Sequence, residues 1–146
     1  MSTYIGKTRT NYFSVKDEEQ FQVLMNRAYC ANGEVVVFEE KDREGKKRFA
    51  FCCDGEISGV RHAKEDTDEN ADDTAYGEFI SELQKCIADD DAVIILHAGF
   101  EKFCYISGLA EIVTSNGCDY LDITELAKKK AAEMLGNKNW CTKCEY

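Results

Sequence analysis

Two runs that favour β-strand flank a turn in the first third of the chain, and they constrain the fold more than any other feature. Residues 35–38 read Val-Val-Val-Phe, which is β-branched and aromatic. Residues 42–45 read Asp-Arg-Glu-Gly, a composition typical of turns. Residues 46–53 then alternate, which places Phe49, Phe51 and Cys53 on one side of a strand. The pattern predicts an antiparallel hairpin over residues 34–53, with those three side chains facing the core.

Hydrophobic periodicity predicts the other elements. Helices are expected over residues 17–29, over residues 74–87 and from about residue 124 to Gly136, and further strands over residues 9–15, 55–60, 92–96, 103–114 and 118–123. Residues 92–96 read Ala-Val-Ile-Ile-Leu, and this continuous apolar run predicts a central strand that is buried on both faces. The third helix has apolar residues at helical spacing, which are Leu126, Ala127, Ala131, Met134 and Leu135.

Short connections between most neighbouring strands predict a largely antiparallel sheet. We therefore expect an α+β fold, a two-layer domain in which a mostly antiparallel sheet of five to seven strands packs with three helices. A chain of 146 residues without a linker-like stretch is predicted to be a single domain, 1–146. No stretch approaches ~18 apolar residues and the first residues lack a signal-peptide pattern, which predicts a cytoplasmic protein with no membrane contact.

Negative charge is concentrated in the second half of the chain. Residues 65–125 contain sixteen Asp and Glu and two Lys, a balance of −14 in a chain whose net charge is −10. Such a segment attracts basic surfaces and repels phosphate backbones, so it predicts a basic protein partner and no direct binding of nucleic acid. Its carboxylates can imitate a phosphate backbone and occupy the nucleic-acid channel of an enzyme.

The residues predicted to bind this partner lie at the start of the acidic segment: Glu65, Asp66, Asp68, Glu69, Asp72, Asp73, Glu78 and Glu82. Two alternatives apply to the run over residues 65–73. A calcium loop needs a central glycine, which the run lacks. A solvated acidic loop that only aids solubility stays open as the simpler interpretation.

Cysteine spacing suggests a metal site at the end of the chain. Cys141 and Cys144 form a CxxC pair, whose two thiolates can bind one zinc ion. One CxxC is half of a tetrahedral ligand set, so the other ligands must come from elsewhere in the chain. The candidates are Cys52 or Cys53, together with Cys30, Cys118 or a histidine. The hypothesis is a structural zinc that holds the tail, and the alternative is a set of ordinary reduced thiols.

A thiol-dependent enzyme is a further alternative. His97 follows the predicted central strand, and Cys104 or Cys118 is the thiol that it could activate. The sequence has no phosphate-binding glycine loop and no serine nucleophile elbow. A non-enzymatic binding protein is therefore the preferred interpretation.

The two ends of the chain carry a resemblance to known proteins. Residues 4–13, Tyr-Ile-Gly-Lys-Thr-Arg-Thr-Asn-Tyr-Phe, and residues 140–146 are similar to proteins of gut Firmicutes elements. As a small, acidic α+β chain, the protein resembles the anti-restriction and anti-CRISPR proteins of phages and bacterial mobile elements. This resemblance implies a stoichiometric inhibitor of a nucleic-acid-processing enzyme, such as an RNA-guided CRISPR nuclease, acting in the cytoplasm of a bacterial host cell.

Overall fold

A computed structural model describes residues 4–31, 33–61, 76–102 and 104–144 of the protein. The helices are α1 (Glu18–Arg27), α2 (Tyr76–Cys86) and α3 (Ile123–Met134). The strands are β1 (Tyr4–Thr10), β2 (Ala28–Cys30), β3 (Val36–Lys41), β4 (Lys47–Asp54), β5 (Ile57–Val60), β6 (Val93–Glu101), β7 (Tyr105–Thr114) and β8 (Gly117–Asp122). Within these ranges, no helix has both the length and the apolar character that crossing a membrane requires.

Six strands form one antiparallel sheet in the order β3-β4-β1-β6-β7-β8, and β2 pairs with β5 in a small second sheet. The predicted α+β two-layer fold is therefore confirmed, as is the mostly antiparallel sheet. The predicted hairpin is formed by β3 and β4, with Val37 paired to Phe51 and Glu39 paired to Phe49.

The main core lies between the six-stranded sheet and the first two helices. We call this side of the sheet the inner face. Phe51 contacts Phe79 of α2 edge to face, with ring centroids 5.8 Å apart, and Phe49 contacts Phe21 of α1 at 5.0 Å. Phe49, Phe51 and Cys53 are all buried, as their alternation predicts. Burial of these rings supplies much of the apolar area that stabilises the domain.

The first strand differs from its prediction. It ends at Thr10, whereas the alternation of residues 9–15 predicts a strand that continues to residue 15. The Asn11 side chain donates a hydrogen bond to the carbonyl of Ala92 at 3.1 Å and accepts one from the backbone N–H of Ile94 at 2.7 Å. These side-chain bonds take positions that a backbone ladder would otherwise fill, so only isolated bridges follow at Phe13 and Val15.

The opposite side of the sheet, which we call the outer face, corrects the prediction for the central strand. Val93 and Ile95 are buried on the inner face, but Ile94 and Leu96 point outward, and Leu96 is 53% exposed. In the described part of the chain, helices α1 and α2 both pack on the inner face, so neither of them covers Ile94 or Leu96. A continuous apolar run therefore does not lead to burial on both faces here.

Helix α3 lies against the outer face at the β7 and β8 edge. A Cβ atom on Gly108 would lie 2.8 Å from Cγ2 of Ile123, so a glycine lets the helix approach β7 this closely. Its N-cap is Asp122, whose carboxylate accepts from the backbone N–H groups of Thr124 and Glu125. The prediction that α3 packs with its apolar face is wrong, because Ala132 is the only buried residue of this helix and Met134 is largely exposed.

Candidate functional site

Two of the eight predicted partner-binding residues lie within the described chain. Glu78 and Glu82 are one turn apart on α2, where Glu78 is exposed and Glu82 is half-buried. Phe79 and Leu83 fill the buried side of the same helix, which leaves the two carboxylates on its outward side. The other six residues lie outside the described residues: Glu65, Asp66, Asp68, Glu69, Asp72 and Asp73.

The end of α2 and the start of α1 are held together by backbone and ionic contacts. The backbone N–H of Lys16 donates to the carbonyl of Cys86 at 2.8 Å, and Lys16 Nζ lies 2.8 Å from Oδ1 of Asp89. Burial, followed by the negative charges of Glu82 and Asp17, raises the pKa of the Cys86 thiol to about 11. The carboxylates of Asp17 and Glu82 therefore both lie near enough to the buried Cys86 to act on its thiol.

These contacts bring the start of α1 to the end of α2, and we call the acidic residues on and next to these two helix segments the acidic helix surface: Asp17, Glu18, Glu19, Glu78, Glu82, Asp89 and Asp90. Lysines pair with three of its carboxylates, in the pairs Lys16–Asp89, Lys47–Glu18 and Lys85–Glu82. Each of these lysines is at least 44% exposed, and exposed pairs of this kind contribute little to stability. The surface keeps an excess of negative charge, and residues 62–75, with six acids and one Lys, lead directly into α2.

A buried polar network joins the sheet to α2 on the inner face. His97 on β6 is 7% exposed, and its Nε2 atom lies 2.7 Å from Oε1 of Glu111 on β7. The hydroxyl of Tyr76, at the start of α2, donates to the same Oε1 at 2.7 Å. On the other side of the ring, Nδ1 of His97 lies 2.9 Å from Oγ1 of Thr8, and that hydroxyl donates to the carbonyl of Gly55 at 2.6 Å.

The charge state of Glu111 follows from these contacts. Burial opposes ionisation of the carboxyl, but the hydrogen bonds from His97 and Tyr76 outweigh burial and lower the pKa of Glu111 below its ordinary value. Burial and the Glu111 carboxylate both raise the pKa of Tyr76, which therefore stays protonated. Glu111 is thus a structural partner of the core rather than part of the acidic surface to which the sequence assigns it.

Neither predicted cysteine lies beside His97. Cys104 lies just before β7, next to the Glu101–Tyr105 pair. Glu101 is four residues from His97 along β6, which corresponds to about 13 Å. Cys118 is exposed on β8 and pairs with Val113. Both ring nitrogens of His97 already have partners in Thr8 and Glu111. The described geometry therefore does not bring together the dyad of the thiol-enzyme alternative.

The four cysteines predicted to bind zinc fall in two separate places. Cys52 and Cys53 are on β4, three strand positions from β7 and so about 14 Å away across the sheet. Cys141 and Cys144 are exposed in the tail; Cys141 lies beside Trp140 and α3, and Cys144 lies beside Ile106 of β7. Burial, followed by the neighbouring Cys30, raises the pKa of Cys53 to about 12, which disfavours a thiolate ligand.

No group of three or more His, Cys, Asp and Glu side chains with the geometry of a metal site occurs within residues 4–31, 33–61, 76–102 and 104–144. The described donors thus do not form a closed four-ligand site around the tail. Zinc binding by Cys141 and Cys144 stays a prediction of the CxxC spacing.

Sequence reasoning missed the network of Thr8, His97, Glu111 and Tyr76. Strand parity contains part of the signal, since His97 shares its side of β6 with the buried Val93 and Ile95. The pairing of His97 with Glu111 depends on the β6–β7 register, which sets Ile95 opposite Glu111.

Comparison of the chain with protein-family models, with curated proteins and with solved structures gives no match.

Proposed function

We propose that this protein is a non-enzymatic binding protein that docks its acidic helix surface on the basic nucleic-acid-binding surface of a nucleic-acid-processing enzyme. An RNA-guided CRISPR nuclease is the example that the sequence resemblance suggests. By occupying that surface, the bound chain prevents the enzyme from loading its guide or target. The acidic residues 65–73, which come shortly before α2 in the sequence, are proposed to bind the same partner.

One observation carries the proposal. Asp17 at the N-terminus of α1 and Glu82 of α2 both act on the pKa of Cys86, and Lys16, next to α1, pairs with Asp89 of the turn after α2, so carboxylates from separate parts of the chain lie close together. The sheet and the core hold both helices in place, so the array is preorganised for a basic partner. Complementary charge of this kind chiefly accelerates association and selects the partner.

The polar network supports a binding role over a catalytic one. His97 and Glu111 are the acid–base groups that a hydrolytic site would use, yet both ring nitrogens of His97 and Oε1 of Glu111 are engaged with each other and with Thr8 and Tyr76. A general base needs an open path to the substrate proton. A network whose histidine is buried and bonded at both ring nitrogens serves better as a tie between β6, β7 and α2.

Affinity capture tests the proposal. The native chain and the Glu78→Lys/Glu82→Lys variant are immobilised and exposed to a nuclease-treated bacterial extract, and the bound proteins are identified by mass spectrometry. We expect nucleic-acid-processing enzymes on the native chain, released by added DNA or RNA, with at least ~10-fold less capture by the variant because association slows.

A matched control separates position from total charge. The variant Glu44→Lys/Glu133→Lys changes the net charge by the same amount at exposed sites on the β3–β4 turn and on α3. We expect it to capture the same proteins as the native chain. Equal losses in both variants, or bound proteins that do not handle nucleic acids, contradict the proposal.

A further inference from the structure

The tail of the chain turns back beside α3. Gly136 follows the helix in a left-handed conformation, with a φ of 64°, and its backbone N–H donates to the carbonyl of Glu133 at 3.1 Å. The backbone N–H of Asn137 donates to the carbonyl of Ala132 at 3.0 Å, which completes a Schellman motif. A second turn follows, in which the backbone N–H of Trp140 donates to the carbonyl of Asn137. The residues after these turns therefore lie against the helix and the sheet.

A groove remains between β7, α3 and the tail, and we call it the tail groove. Ile123, the first residue of α3, lies against Gly108 of β7, and a cavity of about 430 Å³ is left beside this contact. Small-molecule sites in proteins typically have volumes of about 300–1,000 Å³. The walls of the groove are mainly apolar and come from β7, from one side of α3 and from the tail: Ile106, Ile123, Ala127, Ala131 and Trp140.

These apolar walls are open to water in the described part of the chain. Ile106 is 78% exposed and Ile123 is 63% exposed. Ala127 and Ala131 follow Ile123 at helical spacing, and their small side chains leave the space between helix and strand unfilled. Water beside such walls is poorly held, so an apolar group that displaces it gains affinity. The tail groove therefore suits a ligand with an apolar body.

The tail groove has a single charged residue among the described residues that line it, and this residue is Lys128. Its side chain is 23% exposed, and its Nζ atom lies 3.5 Å from Oε1 of Glu125, whose side chain is 71% exposed. A pair with so exposed a partner is weak, so it leaves the ammonium group available to a stronger acceptor. Thr124 and Thr142 add hydroxyl groups to the same walls. An acid group is the complement of this polar set.

We propose that the tail groove binds a small carboxylic acid with an aliphatic body, whose carboxylate pairs with Lys128 and whose body lies along Ile106 and Trp140. Charge complementarity selects the acid, because a cationic ligand would face the Lys128 ammonium without a carboxylate in the groove wall. A cavity of this volume accepts one small molecule rather than a folded partner. This ligand site lies outside the acidic helix surface and does not rest on the proposed function.

Trp140 reports on the groove, because it is the only tryptophan of the chain and lines the cavity. Its fluorescence is followed while the native protein is titrated with decanoate or with decylammonium, which have the same chain length and opposite charges. We expect a saturable change with decanoate, a Kd below about 1 mM, and at least ~10-fold weaker binding of decylammonium. The net charge of −10 favours the cation, so a preference for decanoate requires a local positive charge.

Three variants locate the site. Lys128→Met keeps an unbranched apolar side chain but removes the charge, so decanoate should bind at least ~10-fold more weakly while decylammonium binds no worse than before. Retained decylammonium binding shows that this variant is folded. Ala131→Leu fills the groove and should weaken the binding of both probes. Lys130→Met is the matched control, because Lys130 is on the same helix, pairs with Glu133 and does not line the groove.

The titrations also define the results that overturn the proposal. Fluorescence that does not saturate with decanoate up to about 1 mM overturns it, and so does tighter binding of decylammonium by the native chain. A Lys128→Met variant that keeps the native preference for decanoate contradicts the role of this lysine. A native chain that binds neither probe and sediments as a dimer indicates that a second copy covers the groove, which also overturns the proposal.

Discussion

The Nε2 atom of His97 lies 2.7 Å from Oε1 of Glu111, and this contact joins β6 to β7 beneath the start of α2. The same carboxylate oxygen accepts from Tyr76, the first described residue after the acidic stretch over residues 62–75. The network therefore fixes the point at which this stretch enters the helix that carries Glu78 and Glu82. The network thereby positions the part of the acidic helix surface that lies on α2.

Replacing Glu111 with Gln should lower the free energy of unfolding at neutral pH by about 1–3 kcal/mol, because charge-assisted hydrogen bonds to His97 and Tyr76 are lost. The pKa of Glu111 is lowered in the folded chain, so its stabilisation is complete above the ordinary value of 4.5 and disappears as the pH falls through the folded value. Urea unfolding at neutral and at acidic pH measures both effects.

The same titration with Glu133→Gln serves as the control, since Glu133 is exposed on α3. We expect that variant to match the native chain at every pH. If the Glu111→Gln difference stays constant as the pH falls below 4.5, the carboxylate charge is not the source of the stabilisation.

The hydrogen bonds around His97 assign a donor role to each of its ring nitrogens. The single hydroxyl hydrogen of Thr8 is donated to the carbonyl of Gly55, so Oγ1 of Thr8 accepts from Nδ1–H. The Glu111 carboxylate accepts from Nε2–H. Long-range ¹H–¹⁵N correlation spectra distinguish the imidazolium from either neutral tautomer, and a signal from an unprotonated ring nitrogen of His97 contradicts this assignment.

Alkylation should separate the cysteines by burial. Cys53 and Cys86 are buried, and burial raises their pKa to about 12 and about 11, so they should react with iodoacetamide only after unfolding. Cys118, Cys141 and Cys144 are exposed and should react in the folded chain. Peptide mass spectrometry over time measures each rate. A single thiol at Cys104 or Cys118 that reacts far faster than the others favours the thiol-enzyme alternative instead.

Zinc binding by the tail is tested by native mass spectrometry together with elemental analysis. The CxxC spacing predicts a mass increase of one zinc per chain, which the Cys141→Ser/Cys144→Ser variant should lose along with part of its thermal stability. The Cys52→Ser variant shows whether β4 supplies a ligand. A native chain with the bare polypeptide mass contradicts the zinc hypothesis and leaves the exposed tail cysteines as ordinary thiols.

Local sequence pattern predicts the core of this fold well. The alternation of Phe49, Phe51 and Cys53 and the helical spacing of Phe79 and Leu83 place the buried residues correctly, because one face of each element packs on the other. The strand and helix order then follows from the turns between them. These signals are local, so no alignment of distant segments is needed to find them.

Non-local features are where the sequence-based predictions were wrong or incomplete. The run over residues 92–96 predicts burial on both faces, but coverage of the second face depends on helix placement, and Leu96 is exposed. The pairing of His97 with Glu111 depends on strand register, and the convergence of Asp17 with Glu82 depends on the packing of α1 against α2. Periodicity along one segment contains none of this information.

Displacement of nucleic acid tests the central claim most directly. A fluorescently labelled DNA or RNA is bound to an enzyme captured by the native chain, and its anisotropy is followed as the chain is added. We predict release with one chain per enzyme, weakened by rising salt and by Glu78→Lys/Glu82→Lys but not by Glu44→Lys/Glu133→Lys. Unchanged anisotropy with the chain bound, or complete release by far fewer chains than enzyme molecules, contradicts a stoichiometric inhibitor that acts through the acidic helix surface.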